Sequence, residues 1–287
     1  MASTQNDIVV LAAKAFLEEF GLDCGIRLEE VASRLGLHVQ EVEATSFDGA
    51  LVRITGSPIG TVAIRNDIPE VGRKRFTLAH EIGHYILPNQ QADIPTPCRP
   101  FAIESWDSSL SSPEIDANRF AAEILLPREL LRDELKHQPT LDTARRVASR
   151  FGTSLTAATF RLVELSTYRI AMVISSEGKA RWYRPSDEFG RAVRTGPLDR
   201  RTLAHDLFAG NVSTVSACVP ADAWLFEHNL REGASIWEHS IFLRSYDQVL
   251  TLLELRERVE VTTDYDEDEG EDLDPEDFTL SRKRWPR

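Results

Sequence analysis

The run R-F-T-L-A-H-E-I-G-H-Y, residues 75–85, carries His80, Glu81 and His84 as an H-E-x-x-H motif. Residues four apart share one face of an α-helix, one turn above the other. A helix here therefore lets both imidazoles close on a single metal ion. Glu81 then stands beside the open coordination position, where it can hold and deprotonate a water. That is the arrangement of zinc hydrolases. The bland alternative is a chance match on a polar helix face. Pro69 suits the first turn of a helix over 69–87 and Pro88 stops it.

A catalytic zinc takes three protein ligands, and this motif supplies two. Residues 88–112, with Pro88, Pro95, Pro97 and Pro100 among them, read as a long surface loop. Ser111, Ser112 and Pro113 then cap and start a helix over 113–125 that ends at Pro127. Glu114, in its first turn, is the best-placed third ligand, with Glu123, Asp116, Glu104 and Asp107 as rivals. A helix N-terminal acid favoured by the macrodipole is the structural alternative. Asn118 lies one turn further along the same face, where it can accept the second ring N–H of a ligating histidine and fix its tautomer. Ala121 and Leu125 continue that face, and a carboxylate buried beside them is costly without a cation. Glu123, next to Ile124-Leu125-Leu126, reads as solvated. His38, His137, His205, His228 and His239 lie in unrelated contexts and read as surface or interface residues. Gly83 costs the metal helix about 1 kcal/mol relative to Ala. Close approach of another backbone, such as the helix bringing the third ligand, compensates; tolerated drift is the other reading.

Elsewhere the chain alternates helical and strand periodicity, which predicts an α+β fold. Residues 6–20 and 28–35 read as helices ending near Gly21 and Gly36. Ala50–Ile54 and Thr61–Ile64 flank a Gly56-Ser57-Pro58 turn and read as a β-hairpin. Thr61–Ile64 is either an edge able to pair with an extended substrate or an ordinary buried strand. Residues 141–165 read as two short helices joined near Gly152. Beyond Tyr168 come a hairpin (Ile170–Ile174, Ala180–Tyr183) and the apolar stretches Trp224–Phe226, Ser235–Leu243 and Val249–Leu255, which fit a mixed α/β or β-rich unit. The expected organisation is a domain over 1–135 that resembles a small zincin-like peptidase, a helix-turn-helix-like segment over 136–166 and a C-terminal domain over 167–260 that resembles the sensor- or docking-like modules of longer metallopeptidases. An acidic disordered tail over 261–287 completes it.

Of the net charge of −13, about half (−6) falls in that tail and −7 in the rest. Ten of the 46 acidic and four of the 33 basic residues lie beyond residue 263, leaving 29 basic against 36 acidic before it. A mildly acidic body does not favour a nucleic-acid binder. Three well-separated cysteines, no signal-peptide pattern and no long apolar run point to a cytoplasmic protein with no membrane partner.

The histidine run, followed by E-I-D-A-N-R-F-A-A-E-I-L-L-P from Glu114, resembles the ImmA/IrrE family of bacterial and phage metallo-endopeptidases, which are gluzincin-like. The strong match covers residues 45–130. The resemblance implies Glu114 as third zinc ligand and Zn2+ as cofactor. It departs at Glu123, where the family usually has a small or apolar residue. The mechanism implied is metal-assisted peptide hydrolysis with Glu81 as base and proton shuttle; no residue is assigned as oxyanion donor. Tyr85 points off the ligand face and reads as packing. By resemblance the substrate is a helix-turn-helix transcriptional repressor, whose cleavage releases stress-response or mobile-element genes. The alternatives are an inactive DNA- or protein-binding regulator and one partner of a toxin–antitoxin-like pair. Arg145, Arg146, Arg150 and Arg161 give the 141–165 segment a DNA-docking reading, but a helical pair packed on the peptidase core is favoured. Oligomeric state is not legible in the sequence.

Overall fold

The computed structural model describes residues 2–21, 25–53, 59–87, 112–210, 215–226 and 230–256. The chain opens with α1 (Ala2–Phe20) and α2 (Leu28–Arg34), followed by strands β1 (Leu37–Val42), β2 (Gly49–Arg53) and β3 (Gly60–Arg65). These strands form a sheet in the order β1-β3-β2. β2 and β3 pair antiparallel, as the hairpin periodicity predicts, and β1 adds a parallel partner on the far side of β3. The strand Thr61–Ile64 is thus central, and its reading as a substrate-pairing edge is corrected. Both its flanks are spent on β1 and β2, so among the described residues the edges are β1 and β2.

The metal-motif helix, α3, runs Val71–Ile86. Pro69 lies one residue before the N-cap Glu70 rather than in the first turn, and Pro88 lies outside the described residues. The first turn of α3 has no acid but carries Arg73 and Lys74, with Arg75 next. Cations oppose the helix dipole there, and each is held by an outside acceptor. Arg73 donates to Asp48, Lys74 to Glu41 and Arg75 to the Ile26 carbonyl. Helix α4 (Ser112–Leu125) packs across α3 and α1. A short 3-10 turn (Arg128–Leu131) and α5 (Arg132–Leu135) lead on to α6 (Leu141–Phe151) and α7 (Leu155–Leu165).

Helix α6 begins at Thr140, whose hydroxyl accepts from Thr143 N, and ends at Gly152 in the left-handed region, φ 62°. Ser154 caps α7 in the same manner. Positive φ at Gly152 costs no Cβ clash and lets the chain reverse between the helices. One apolar cluster unites α1–α4, the small sheet and the inner faces of α6 and α7, with Phe16, Leu78, Ile82, Phe120 and Phe151 among its members.

The rest of the chain builds β4 (Ile170–Ser176), β5 (Lys179–Pro185), β6 (Gly196–Pro197), α8 (Leu203–Phe208), β7 (Val215–Pro220), β8 (Ser235–Leu243) and β9 (Gln248–Glu254). Its strands form an antiparallel sheet in the order β6-β5-β4-β9-β8-β7. One face of the sheet packs with Phe189, Leu207 and Trp224. The other receives Leu141, Phe160 and Val163 from α6 and α7. The fold is α+β throughout. Among the described residues no helix is long and apolar enough to cross a membrane.

Candidate metal centre

The H-E-x-x-H residues lie on α3 where the spacing requires. His80 is fully buried, Glu81 almost so, and His84 stands at the edge of the core. Glu114, in the first turn of α4, reaches across to both rings. Its carboxylate oxygens lie 3.2 Å from His80 Nε2 and 3.4 Å from His84 Nε2, and the two Nε2 atoms are 2.9 Å apart. Among the described residues these three form the group whose donor atoms converge to hold a metal ion. Of the rivals, Asp116 and Glu123 are outside that group, and Glu104 and Asp107 lie outside the described residues.

The donor set itself argues for a cation. Asn118 is fully buried one turn along α4, and its Oδ1 lies 2.9 Å from His80 Nδ1. An amide oxygen only accepts, so Nδ1 carries the proton and Nε2 presents a lone pair. Two imidazole nitrogens and a carboxylate then face one another at hydrogen-bond distance with few protons to share. Burial pushes the Glu114 carboxyl up, but hydrogen bonding and charge attraction from His80 and His84 outweigh it and hold the group well below the usual carboxylate range. The site sets a carboxylate against two imidazoles, and a divalent cation with a preference for N and O donors would satisfy all three.

Two glycines set this geometry. A Cβ on Gly83 would stand 3.2 Å from Ala117 Cα and from Phe120 Cδ1. The bare backbone is therefore what lets α4 approach α3, and the compensation expected for this helix-interior glycine is present. A Cβ on Gly49 would stand 2.5 Å from Thr77 Cγ2 and 2.6 Å from Glu81 Oε1. The start of β2 thus lies directly against the Glu81 carboxylate.

Sequence reasoning missed the residue before it. Asp48 is fully buried, accepts from Arg73 (2.6 Å) and pairs with Arg65 (3.1 Å), which pins the start of β2 to the first turn of α3. The signal was available in Arg73, a cation at a helix N-terminus that needs an acid from elsewhere. Tyr85 packs as expected, its hydroxyl donating to the Leu35 carbonyl and its ring lying under Arg53. Glu123 corrects a second expectation. It is not solvated but pairs at 2.5 Å with Arg161, which is itself buried. Of the other histidines, His38 and His137 are exposed, His205 and His239 are part-buried far along the chain, and His228 lies outside the described residues.

Residues 32–163 match the Peptidase M78 family model, described as the IrrE N-terminal-like domain. No curated protein matches the chain. Among solved structures, a Mycobacterium tuberculosis transcriptional regulator matches with a TM-score of 0.53 at 18% identity, covering 88% of this chain and 89% of that one. At that identity the likeness is one of fold.

Proposed function

Since residues 32–163 belong to the IrrE N-terminal-like family of M78 peptidases, we propose that this chain is a zinc-dependent endopeptidase whose substrate is a helix-turn-helix transcriptional repressor. The observation that carries the reading is the convergence of His80, His84 and Glu114, with Asn118 fixing the His80 tautomer. These three side chains would hold the ion. When bound, zinc supplies Lewis acidity that lowers the pKa of water toward about 7 and polarises a carbonyl oxygen.

The chain's own residues do the rest. Glu81 takes a proton from the attacking water at its carboxylate and returns it to the departing amine nitrogen. Its burial against Gly49 and Thr77 limits the carboxylate to few orientations, which keeps the proton acceptor in place. With β3 central, the strand able to pair with an extended peptide beside Glu81 is β2, whose outer edge is unpaired among the described residues. Such pairing uses main-chain hydrogen bonds for affinity and leaves selectivity to side-chain pockets. Residues 1–135 serve as the peptidase unit in this reading, 136–166 as its helical brace and 167–260 as a sensing or docking unit.

The test is Glu81→Gln in the full chain, with zinc content measured beside cleavage of a co-expressed neighbouring repressor. Zinc is expected to be retained and cleavage abolished. Cleavage at an unchanged rate in the variant, or intact repressors with zinc-loaded wild type, overturns the proposal.

A further inference from the structure

Arg73 ties the small sheet to the metal-motif helix. The β2–β3 ladder fixes the register of β2, with Gly49 opposite Ile64, and leaves its depth against α3 to side chains. Arg73 supplies that contact, its Nε and Nη2 donating to Asp48 Oδ2 at 3.1 and 2.6 Å. The carboxylate is fully buried and the arginine side chain is 13% exposed, so salt screens the pair little. The helix end of this tether is itself fixed. A Cβ on Gly72 would stand 2.5 Å from the Thr153 carbonyl carbon, so the first turn of α3 is seated on the backbone between α6 and α7. One residue past Asp48, a Cβ on Gly49 would meet Glu81 Oε1 at 2.6 Å.

Arg73 is held in turn from the C-terminal sheet. Tyr246 sits in the turn between β8 and β9, where its N–H donates to the Leu243 carbonyl and Asp247 takes φ 51°. The Tyr246 hydroxyl donates to Glu70 and accepts from Arg73, and the guanidinium carbon lies 5.7 Å from its ring centre. A cation in a first turn opposes the helix dipole. Arg73 therefore weakens α3 locally, and its use lies in these contacts.

We propose that Arg73 is a positioning residue for Glu81. It holds Asp48, and so the start of β2, at the depth that confines the Glu81 carboxylate, while Tyr246 steadies the guanidinium from the C-terminal sheet. This rests on Glu81 being the base of the peptidase reading. Arg73 acts through Asp48 and β2, so its loss displaces the base and leaves the donor set of the metal intact. Lysine does not replace it, because one ammonium lacks the fork that spans Asp48 and the Tyr246 hydroxyl together.

The test has two readouts on the full chain. A Cβ on Gly49 would stand 2.5 Å from Thr77 Cγ2. The nuclear Overhauser effect between Gly49 Hα and the Thr77 methyl therefore reports the depth of β2, in zinc-free protein and without substrate. The second readout is steady-state cleavage of the purified neighbouring repressor. In Arg73→Ala the Overhauser effect should weaken, and kcat should fall about 100-fold, as for a reacting group displaced by about 1 Å. KM and zinc affinity should stay within about twofold of wild type, the pattern of an interaction used in the transition state alone. Arg65 still pairs with Asp48 in that variant; should it nonetheless fail to fold, Arg73→Lys repeats the test with a smaller fall. Tyr246→Phe should lower kcat about fivefold, the worth of one hydrogen bond. An unchanged Overhauser effect in a folded Arg73 variant overturns the proposal. So does wild-type kcat, or a loss carried by KM. A Tyr246→Phe enzyme as fast as wild type overturns the part assigned to the C-terminal sheet. Wild type that leaves the repressor intact fails the peptidase reading instead, and the Overhauser effect still decides whether Arg73 sets β2.

Discussion

Gly83→Ala tests whether the α3–α4 crossing sets the metal geometry. The added methyl would stand 3.2 Å from Ala117 Cα and Phe120 Cδ1 and 3.4 Å from the Ala117 carbonyl oxygen. Ordinary carbon contacts lie at about 3.5–4.0 Å, so α4 must retreat by a few tenths of an ångström. Two terms oppose each other in stability. Alanine gains about 1 kcal/mol of helix propensity over glycine, whereas overpacking a tight core costs about 1–3 kcal/mol. The net is a loss of about 0–2 kcal/mol, small enough to leave the chain folded. The metal responds more sharply. Glu114 lies one turn before Ala117 on the same helix and moves with it, while metal–ligand distances tolerate only about 0.2 Å. A retreat beyond that should weaken zinc binding about 10–100-fold, comparable to losing an outer-shell partner. Competition against a chromophoric chelator reads the affinity, and thermal melting reads the stability separately. Zinc affinity within twofold of wild type, together with a gain of about 1 kcal/mol, would refute the argument, because α4 would then absorb the methyl without moving Glu114.

Gly49→Ala drives a Cβ into Glu81 Oε1 and Thr77 Cγ2, so zinc content should hold while repressor cleavage falls about 100-fold, the cost of displacing a reacting group by about 1 Å; an unchanged rate would show that β2 does not place Glu81. Asn118→Ala removes the acceptor at His80 Nδ1 and should weaken zinc about 10–100-fold, with Asn118→Asp close to wild type in the same chelator assay. Glu238→Gln acts in the C-terminal sheet, where the carboxylate accepts from Leu203 N, Ala204 N, the Trp224 indole and the Ser240 hydroxyl. An amide leaves one side of that cage donor-to-donor, at a cost of about 2 kcal/mol. Burial raises the Glu238 carboxyl above its ordinary 4.5 despite these donors. The folded state therefore holds that proton more tightly, and the stability this adds is lost as pH rises from 4.5 through the raised value. Urea titrations of both proteins should show the wild-type advantage shrinking across that window; an advantage that grows with pH would contradict the assignment.

The local elements were legible because each depends on residues close in the chain. The i, i+4 histidines fix α3, Gly152 ends α6 in the left-handed region, and Ser154 starts α7. The meeting of Glu114 with the histidine pair was legible only as a candidate, since spacing places Glu114 in a first turn without saying what that turn faces. Which strand lies central was not legible either. β1 and β2 flank β3 through one parallel and one antiparallel pairing, and the parallel partner comes from a segment with no hairpin signal. Gly83 lay between the two cases. Its cost was plain in the sequence, but drift and close approach separate only once Ala117 is seen beside it.

Glu123 and Arg161 show how two apparent oddities resolve each other and decide the role of the helical pair. An acid on the apolar side of α4 and an arginine on α7 each look exposed or functional alone. Together they form an ion pair at the edge of the core, with the buried Arg161 also donating to the Leu126 carbonyl and pairing with Glu164. The same contacts take α7 away from DNA. A recognition helix needs exposed side chains to enter a groove, and no residue of Leu155–Leu165 is exposed. The arginines that do face solvent, Arg145, Arg146 and Arg150, sit on the first helix of the pair and engage Asp142, Thr143 and Glu134. The second helix of that unit is packed between the helices that carry the candidate metal ligands and the C-terminal sheet, and a nucleic acid would have to displace that sheet to reach it.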